Sequence, residues 1–240
     1  KLNMAQAGLH AALGYQLRRI IPSEKRLFPS IIFGSILPDL DIVVVAIGSL
    51  FYPISHSEKL FHRSFSHSFF SLIAVYLLFA ILSEWKKRPV YKSIGKGLAF
   101  GMLSHIILDT FFWFRKIQFL WPLPFEPFSL WNFWVLPDLI HNIMLVLEFF
   151  CFRWYAWFLI TKHLNTPGRL SWIIKYLQIW KNWEGILFAF FILLALWNPH
   201  NFIFLFGAAY IPSLIMMLWA TYISRDALES ASISANANCN

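Results

Sequence analysis

For acid–base or metal chemistry this 240-residue chain has only 12 acids and eight histidines, and several of them gather inside apolar runs. Asp39 and Asp41 follow Pro38 in Gly34-Ser35-Ile36-Leu37-Pro38-Asp39-Leu40-Asp41. Proline removes a backbone donor and clashes with the preceding turn, so a helix is expected to break there and display both carboxylates on irregular backbone. The plainer reading is a kinked helix whose Asp side chains cap its second half. His62 and His67, in His62-Arg63-Ser64-Phe65-Ser66-His67-Ser68, come within reach of one ion if the first stands in a loop and the second in a first helical turn. Otherwise the segment is a polar cap built on Ser64 or Ser66. His105 and Asp109, four residues apart, project from one helix face, which suits a divalent cation or a plain His–Asp hydrogen bond between helices. Asp138, His141, Asn142 and Glu148 also share a helix face; they either complete a site or satisfy polar groups of neighbouring helices. His10 stands alone and reads by itself as structural, and His56, His163 and His200 as loop or interfacial residues.

Histidine with carboxylate and no thiolate favours zinc, manganese or iron. Cys151 and Cys239 have neither metal-ligand nor disulfide spacing. Together, Asp39, Asp41, His62, His67, His105 and Asp109, with His10 as a further candidate, are expected to hold one or two divalent metals, zinc first. Such a centre serves phosphoryl or ester hydrolysis by generating hydroxide near neutral pH. Arg63, or the Ser66 and Ser68 hydroxyls, would bind a developing oxyanion or a phosphate, and Asp138 would act as general base.

The elements that must position these groups are membrane helices. The chain is 58% hydrophobic and 13% charged, with a mean hydropathy of +0.58, whereas soluble domains have about 25% charged residues. An ordinary soluble domain, a disordered chain and a disulfide scaffold are excluded on that ground. Six runs approach the ~20 apolar residues of a spanning helix: Ile31 to Tyr52, Phe65 to Trp85, Gly97 to Phe114, Phe133 to Ile160, Glu184 to Trp197 and Asn201 to Ile223. The fold expected is therefore an all-α integral membrane protein of about six transmembrane helices, the first broken at Pro38. One or two amphipathic interfacial helices are expected beside them, at Met4 to Ile20 and Leu170 to Lys181. Residues 1–225 read as one multi-pass domain and 226–240 as a disordered tail; no cleavable signal peptide is expected. Basic residues concentrate in alternate loops, which predicts cytoplasmic termini. They also explain the net charge of +8 by an anionic leaflet, with no nucleic acid.

The run Gly34-Ser35-x-Leu37-Pro38-Asp39-x-Asp41, then His62-Arg63-x3-His67-Ser68, then Ser104-His105-x3-Asp109 resembles the membrane-bound metal-dependent hydrolases, which include LexA-regulated bacterial inner-membrane proteins. Their hallmark elements occur in this order after an early histidine that His10 matches, and Trp121-Pro122-Leu123 resembles their later proline-bearing stretch. The resemblance covers about residues 4 to 130. Where the family often has His after the second Asp, this chain has Ile42. The resemblance implies a metal site and a hydrolase; the site's depth implies an amphiphilic, lipid-like ester or phosphoester substrate. Two other functions fit the same residues. One is a non-catalytic scaffold for partner membrane proteins, with a structural metal; the other is an ion-coupled transporter, which also uses broken helices and midplane acids.

Overall fold

The computed structural model describes residues 7–17, 21, 24–112, 116–130, 137–165, 171–197 and 202–230. They form α1 (Ala7–Gln16), α2 (Leu27–Ile36), α3 (Asp41–Gly48), α4 (Ile54–Phe61), α5 (Phe69–Lys86), α6 (Val90–Phe112), α7 (Asp138–Leu164), α8 (Ser171–Trp197) and α9 (Phe202–Ile223). Among the described residues the only β pairing is an antiparallel bridge between Ile117 and Phe128. The chain's contacts form two compact units. One holds the described residues 24–130, the other 7–21 and 137–230.

Five helical stretches are long and apolar enough to cross a membrane: Leu27–Gly48, Phe69–Lys86, Asp138–Leu164, Trp172–Trp197 and Phe202–Ile223. The sixth expected span falls in α6, which is long enough at 23 residues. Its apolar run is diluted by Gly95, Gly97, Gly101, Ser104, His105 and Asp109. The helix that misses the composition of a span is the one that carries two candidate site residues.

In the first unit, Leu27–Gly48 changes character at Pro38. Residues Leu37–Leu40 tighten into a 3-10 turn between α2 and α3. Proline sits at the start of that turn, where its missing N–H would have had no helical partner anyway; the backbone narrows there without unwinding. Ser68 then caps α5, its side chain accepting from the Ser71 amide at 3.1 Å. This places the cap two to four residues beyond Ser64 and Ser66 and starts the second span at Phe69. Lys87, at φ 52°, turns α5 into α6 as a left-handed residue after a helix C-terminus does.

The packing of α6 on α2 rests on glycine. A Cβ on Gly97 would lie 2.6 Å from Ser30 Cβ, and one on Gly101 2.6 Å from the Ser35 backbone nitrogen. Gly97-x3-Gly101 is the small-residue spacing that lets membrane helices approach backbone to backbone. The contacts advance together along both helices, Gly97 meeting Ser30 and Gly101 meeting Ser35, so α2 and α6 run parallel.

In the second unit several expectations need correction. The first helix does not lie on a surface as the interfacial helix expected at Met4 to Ile20. Ala7, Gly8, His10, Ala11, Ala12, Gly14 and Tyr15 are its buried residues, and Glu148 of α7 accepts from the Gly8 and Leu9 amides. A small-residue face packs a helix closely on a neighbour. Residues 4–6 and 18–20 of that expected helix lie outside the described residues. The expected surface helix ending at Lys181 and the short span from Glu184 are one continuous helix, α8, because no breaker separates them. Ile173, Leu177 and Trp180, the apolar stripe of that expected surface helix, are buried protein core. His163 is buried and bonded to Ser224 at 2.9 Å; it is not a loop residue. The tail expected to be disordered from 226 is helical to Ser230, with Leu228 fully buried. Residues 231–240 lie outside the described ones.

Candidate metal centre

Within the first unit, three short segments bring Asp39, Asp41, His62, Arg63, Ser66, His67, His105 and Asp109 into burial, none more than 7% exposed. Asp39 lies in the 3-10 turn and Asp41 opens α3. Asp41 does not cap its own helix. Its carboxylate reaches the segment after α4, where Arg63 adopts φ 57° and reverses the chain, a conformation that costs a non-glycine residue energy and is held by its surroundings. His62 Nδ1–H donates to Asp41 Oδ1 at 2.8 Å, since a carboxylate only accepts. Asp41 Oδ2 accepts from the Arg63 amide at 3.0 Å and from Ser66 Oγ at 2.8 Å.

These bonds set the tautomers of the next two imidazoles. Ser66 has one proton and gives it to Asp41, so at 2.9 Å it accepts from His67 Nδ1–H. His105 Nδ1 lies 2.8 Å from the Ser35 carbonyl oxygen, which can only accept. Both rings therefore carry their proton on Nδ1 and a lone pair on Nε2. The two Nε2 atoms are 3.1 Å apart. Lone pairs at that distance repel each other unless an electron-pair acceptor, a cation or a proton, lies with them.

Asp109 Oδ2 completes a triangle at 3.5 Å from His67 Nε2 and 3.7 Å from His105 Nε2, and Asp39 Oδ1 lies 3.7 Å from His105 Nε2. Tetrahedral zinc, with ligands at 2.0–2.1 Å, sets neighbouring ligand atoms roughly 3.3–3.4 Å apart. The donor set His67, His105 and Asp109 thus fits a divalent cation in spacing, type and tautomer. Charge points the same way. Three buried carboxylates, Asp39, Asp41 and Asp109, face one buried guanidinium, Arg63, and buried charge is costly unless compensated.

Not every expected ligand stands in the same position. Asp41 is engaged by three donors and lies behind His67, its Oδ2 3.5 Å from His67 Nδ1. That is how an outer carboxylate orients a metal-binding imidazole. His62 Nε2 is buried without a hydrogen-bond partner among the described residues. Arg63 Nη2 lies 3.2 Å from Asp109 Oδ2. His10 is on α1 and Asp138 is the exposed first residue of α7, both in the second unit. His141 and Asn142 follow Asp138 half-buried, while Glu148 is fully buried against α1. Sequence reasoning missed the Ser35 carbonyl, which a side-chain motif cannot reveal. It also missed Gly97 and Gly101, which the Gly-x3-Gly spacing does reveal.

A family model described as YdjM inner membrane protein matches residues 5–225. The chain belongs to the YdjM inner membrane protein family. That match takes in all the labelled helices of both units. No curated protein and no solved structure matches the chain. With its five candidate spans, this YdjM-family protein is an integral membrane protein.

Proposed function

We propose that this YdjM-family protein is a metal-dependent hydrolase of an amphiphilic ester or phosphoester. His67, His105, Asp109 and Asp39 would hold a divalent cation, zinc before manganese or iron. The observation that carries this reading is the pair of Nε2 lone pairs 3.1 Å apart beside two carboxylates. When bound, such a cation supplies Lewis acidity and brings the pKa of water to near 7. Asp41 and Ser66 keep the proton of His67 on Nδ1, and the Ser35 carbonyl does the same for His105. Arg63 offers a planar guanidinium suited to a phosphate or a developing oxyanion. His62, oriented by Asp41, presents Nε2 as a proton acceptor; the reading assigns no part to Asp138. The loop charges support cytoplasmic termini, which needs an even number of crossings and so counts α6 with the five.

The test is metal analysis of the purified protein, with His67→Ala and Asp109→Asn alongside, followed by hydrolysis assays on phospholipid vesicles. Stoichiometric zinc in the parent, lost in both variants together with lipid turnover, is the expected result. Full occupancy in the variants would refute the ligand set. Metal bound without turnover would favour the scaffold role.

A further inference from the structure

Between α6 and α7 the described residues 116–130 form no helix, yet Leu120, Trp121, Leu123, Phe125, Phe128 and Leu130 stand there 39 to 62% exposed. From Ile117 to Leu130 the only charged residue is Glu126. Solvated loops are not built this way, and exposed apolar patches of this kind mark interaction surfaces.

The loop meets part of its backbone hydrogen bonding within itself. Ile117 and Phe128 exchange both their hydrogen bonds, at 2.8 and 2.9 Å. The Trp121, Leu123 and Phe125 amides bond within the loop, while Pro122, Pro124 and Pro127 have no N–H to satisfy. Irregular backbone is tolerated at membrane depth only when its polar groups are met internally; a loop that meets part of them suits the interface, where headgroups and water serve the others.

The loop is also fixed in place. The Gln118 amide donates to the Arg63 carbonyl at 3.3 Å, and the Phe69 amide, first in α5, donates to the Phe119 carbonyl at 2.9 Å. Phe119 stacks on Phe69 with ring centroids 5.7 Å apart. From there the apolar surface continues onto α5, where Phe70, Ile73, Leu77 and Leu78 are 44 to 55% exposed. Only 6% of the apolar window of α5 is buried in protein, so lipid is what covers that face of a spanning helix.

We infer that residues 117–130 form a lipid-binding lip, seated in the bilayer interface at the Phe69 end of α5, whose apolar side chains contact acyl chains. Through Gln118 and Phe119 the lip adjoins the segment that carries His62, Arg63 and His67. That the lipid it holds is also the substrate rests on the hydrolase reading; the lipid contact itself does not.

The experiment labels single cysteines with a fluorophore in full-length protein reconstituted into phosphatidylethanolamine–phosphatidylglycerol vesicles. The background is Cys239→Ser, with the buried Cys151 retained. Phe125→Cys is compared with Leu77→Cys on the lipid face of α5 and with Lys87→Cys, whose native side chain is 84% exposed. Leu123→Cys serves as a second probe of the lip should Phe125→Cys fail to fold. A lip label that loses fluorescence to acyl-chain nitroxide lipids as fully as the label at position 77, and resists iodide present on both sides, is the expected result. Iodide quenching equal to that at position 87 would overturn the inference, because the loop would face water. Resistance to both quenchers would overturn it as well, because protein would cover the loop. Failure of the metal reading would appear in metal content and leave the quenching pattern unchanged.

Discussion

Gly101 is where the structure makes its sharpest demand. A methyl group there would land on the Ile31 carbonyl oxygen, 2.6 Å from the Ser35 backbone nitrogen and 2.7 Å from the Gly34 carbonyl carbon. All three are backbone atoms that cannot swing aside. Ordinary contacts of carbon begin at about 3.5 Å, so Gly101→Ala must part α2 from α6 by roughly 1 Å. The bond from His105 Nδ1 to the Ser35 carbonyl, 2.8 Å long, would open to about 3.8 Å, outside hydrogen-bonding range. Overpacking costs about 1–3 kcal/mol and the lost buried hydrogen bond about 1 more, so a loss of roughly 2–4 kcal/mol is expected. His105 also loses the partner that fixes its tautomer, and outer partners of this kind are worth about 10–100-fold in metal affinity. Gly185→Ala is the control. Its methyl would meet Arg153 Nη1 at 2.6 Å, the far end of a flexible side chain, and should cost under about 1 kcal/mol. Thermal unfolding in detergent and competition titration with a zinc chelator read both effects. If Gly101→Ala unfolds and binds zinc like the parent, α2 and α6 do not meet through this glycine, and the account of how His105 is oriented fails.

Two further substitutions probe the surroundings of the site. Asp41→Asn turns an acceptor for three donors into a group that must present its own N–H to one of them. Zinc affinity should fall by about 10–100-fold while stoichiometry is kept; loss of stoichiometric zinc, as expected for Asp109→Asn, would make Asp41 a ligand. Outside the spans, the Glu24 carboxyl is held below its ordinary 4.5, first by the hydrogen bond from Ser93 Oγ and then by Lys96, the two lying 3.0 and 3.2 Å away. A lowered carboxylate pKa stabilises the fold fully above the unfolded value and loses that effect as pH falls through the folded value. Ser93→Ala should therefore lower the unfolding temperature at neutral pH, and the difference from the parent should shrink well below pH 4.5. A difference that stays constant with pH would mean that Ser93 acts through packing alone.

The identity of the candidate ligands was legible because burying charge in a membrane is costly enough that Asp39, His67, His105 and Asp109 stand out against apolar neighbours. Their division of labour was not. Whether Asp41 faces a cation or supports an imidazole depends on which donors the Arg63 reversal presents to it, and that reversal joins residues more than 20 positions apart. Helix faces were misread where composition competes with context. The stripe of Ile173, Leu177 and Trp180 looks the same whether it meets headgroups or α7. The buried face of α1 is mostly alanine and glycine, which register weakly in any apolar pattern.

The first unit shows why a buried polar centre and a lipid-facing surface can coexist in so short a stretch. α5 takes the lipid: its side chains are bulky and exposed, and its polar cap is confined to Ser68 and Ser71. α6 is thereby released from being uniformly apolar. It spends its composition on glycines that draw α2 within backbone contact, and on His105 and Asp109, whose polarity lipid would not tolerate. The same close approach that excludes lipid also brings the Ser35 carbonyl to His105, so the packing that shelters the centre sets its protonation. Tautomer, burial and helix spacing are thus one property of the α2–α6 contact. Altering a glycine there should disturb all three together, whereas altering a ligand should leave the helix spacing intact.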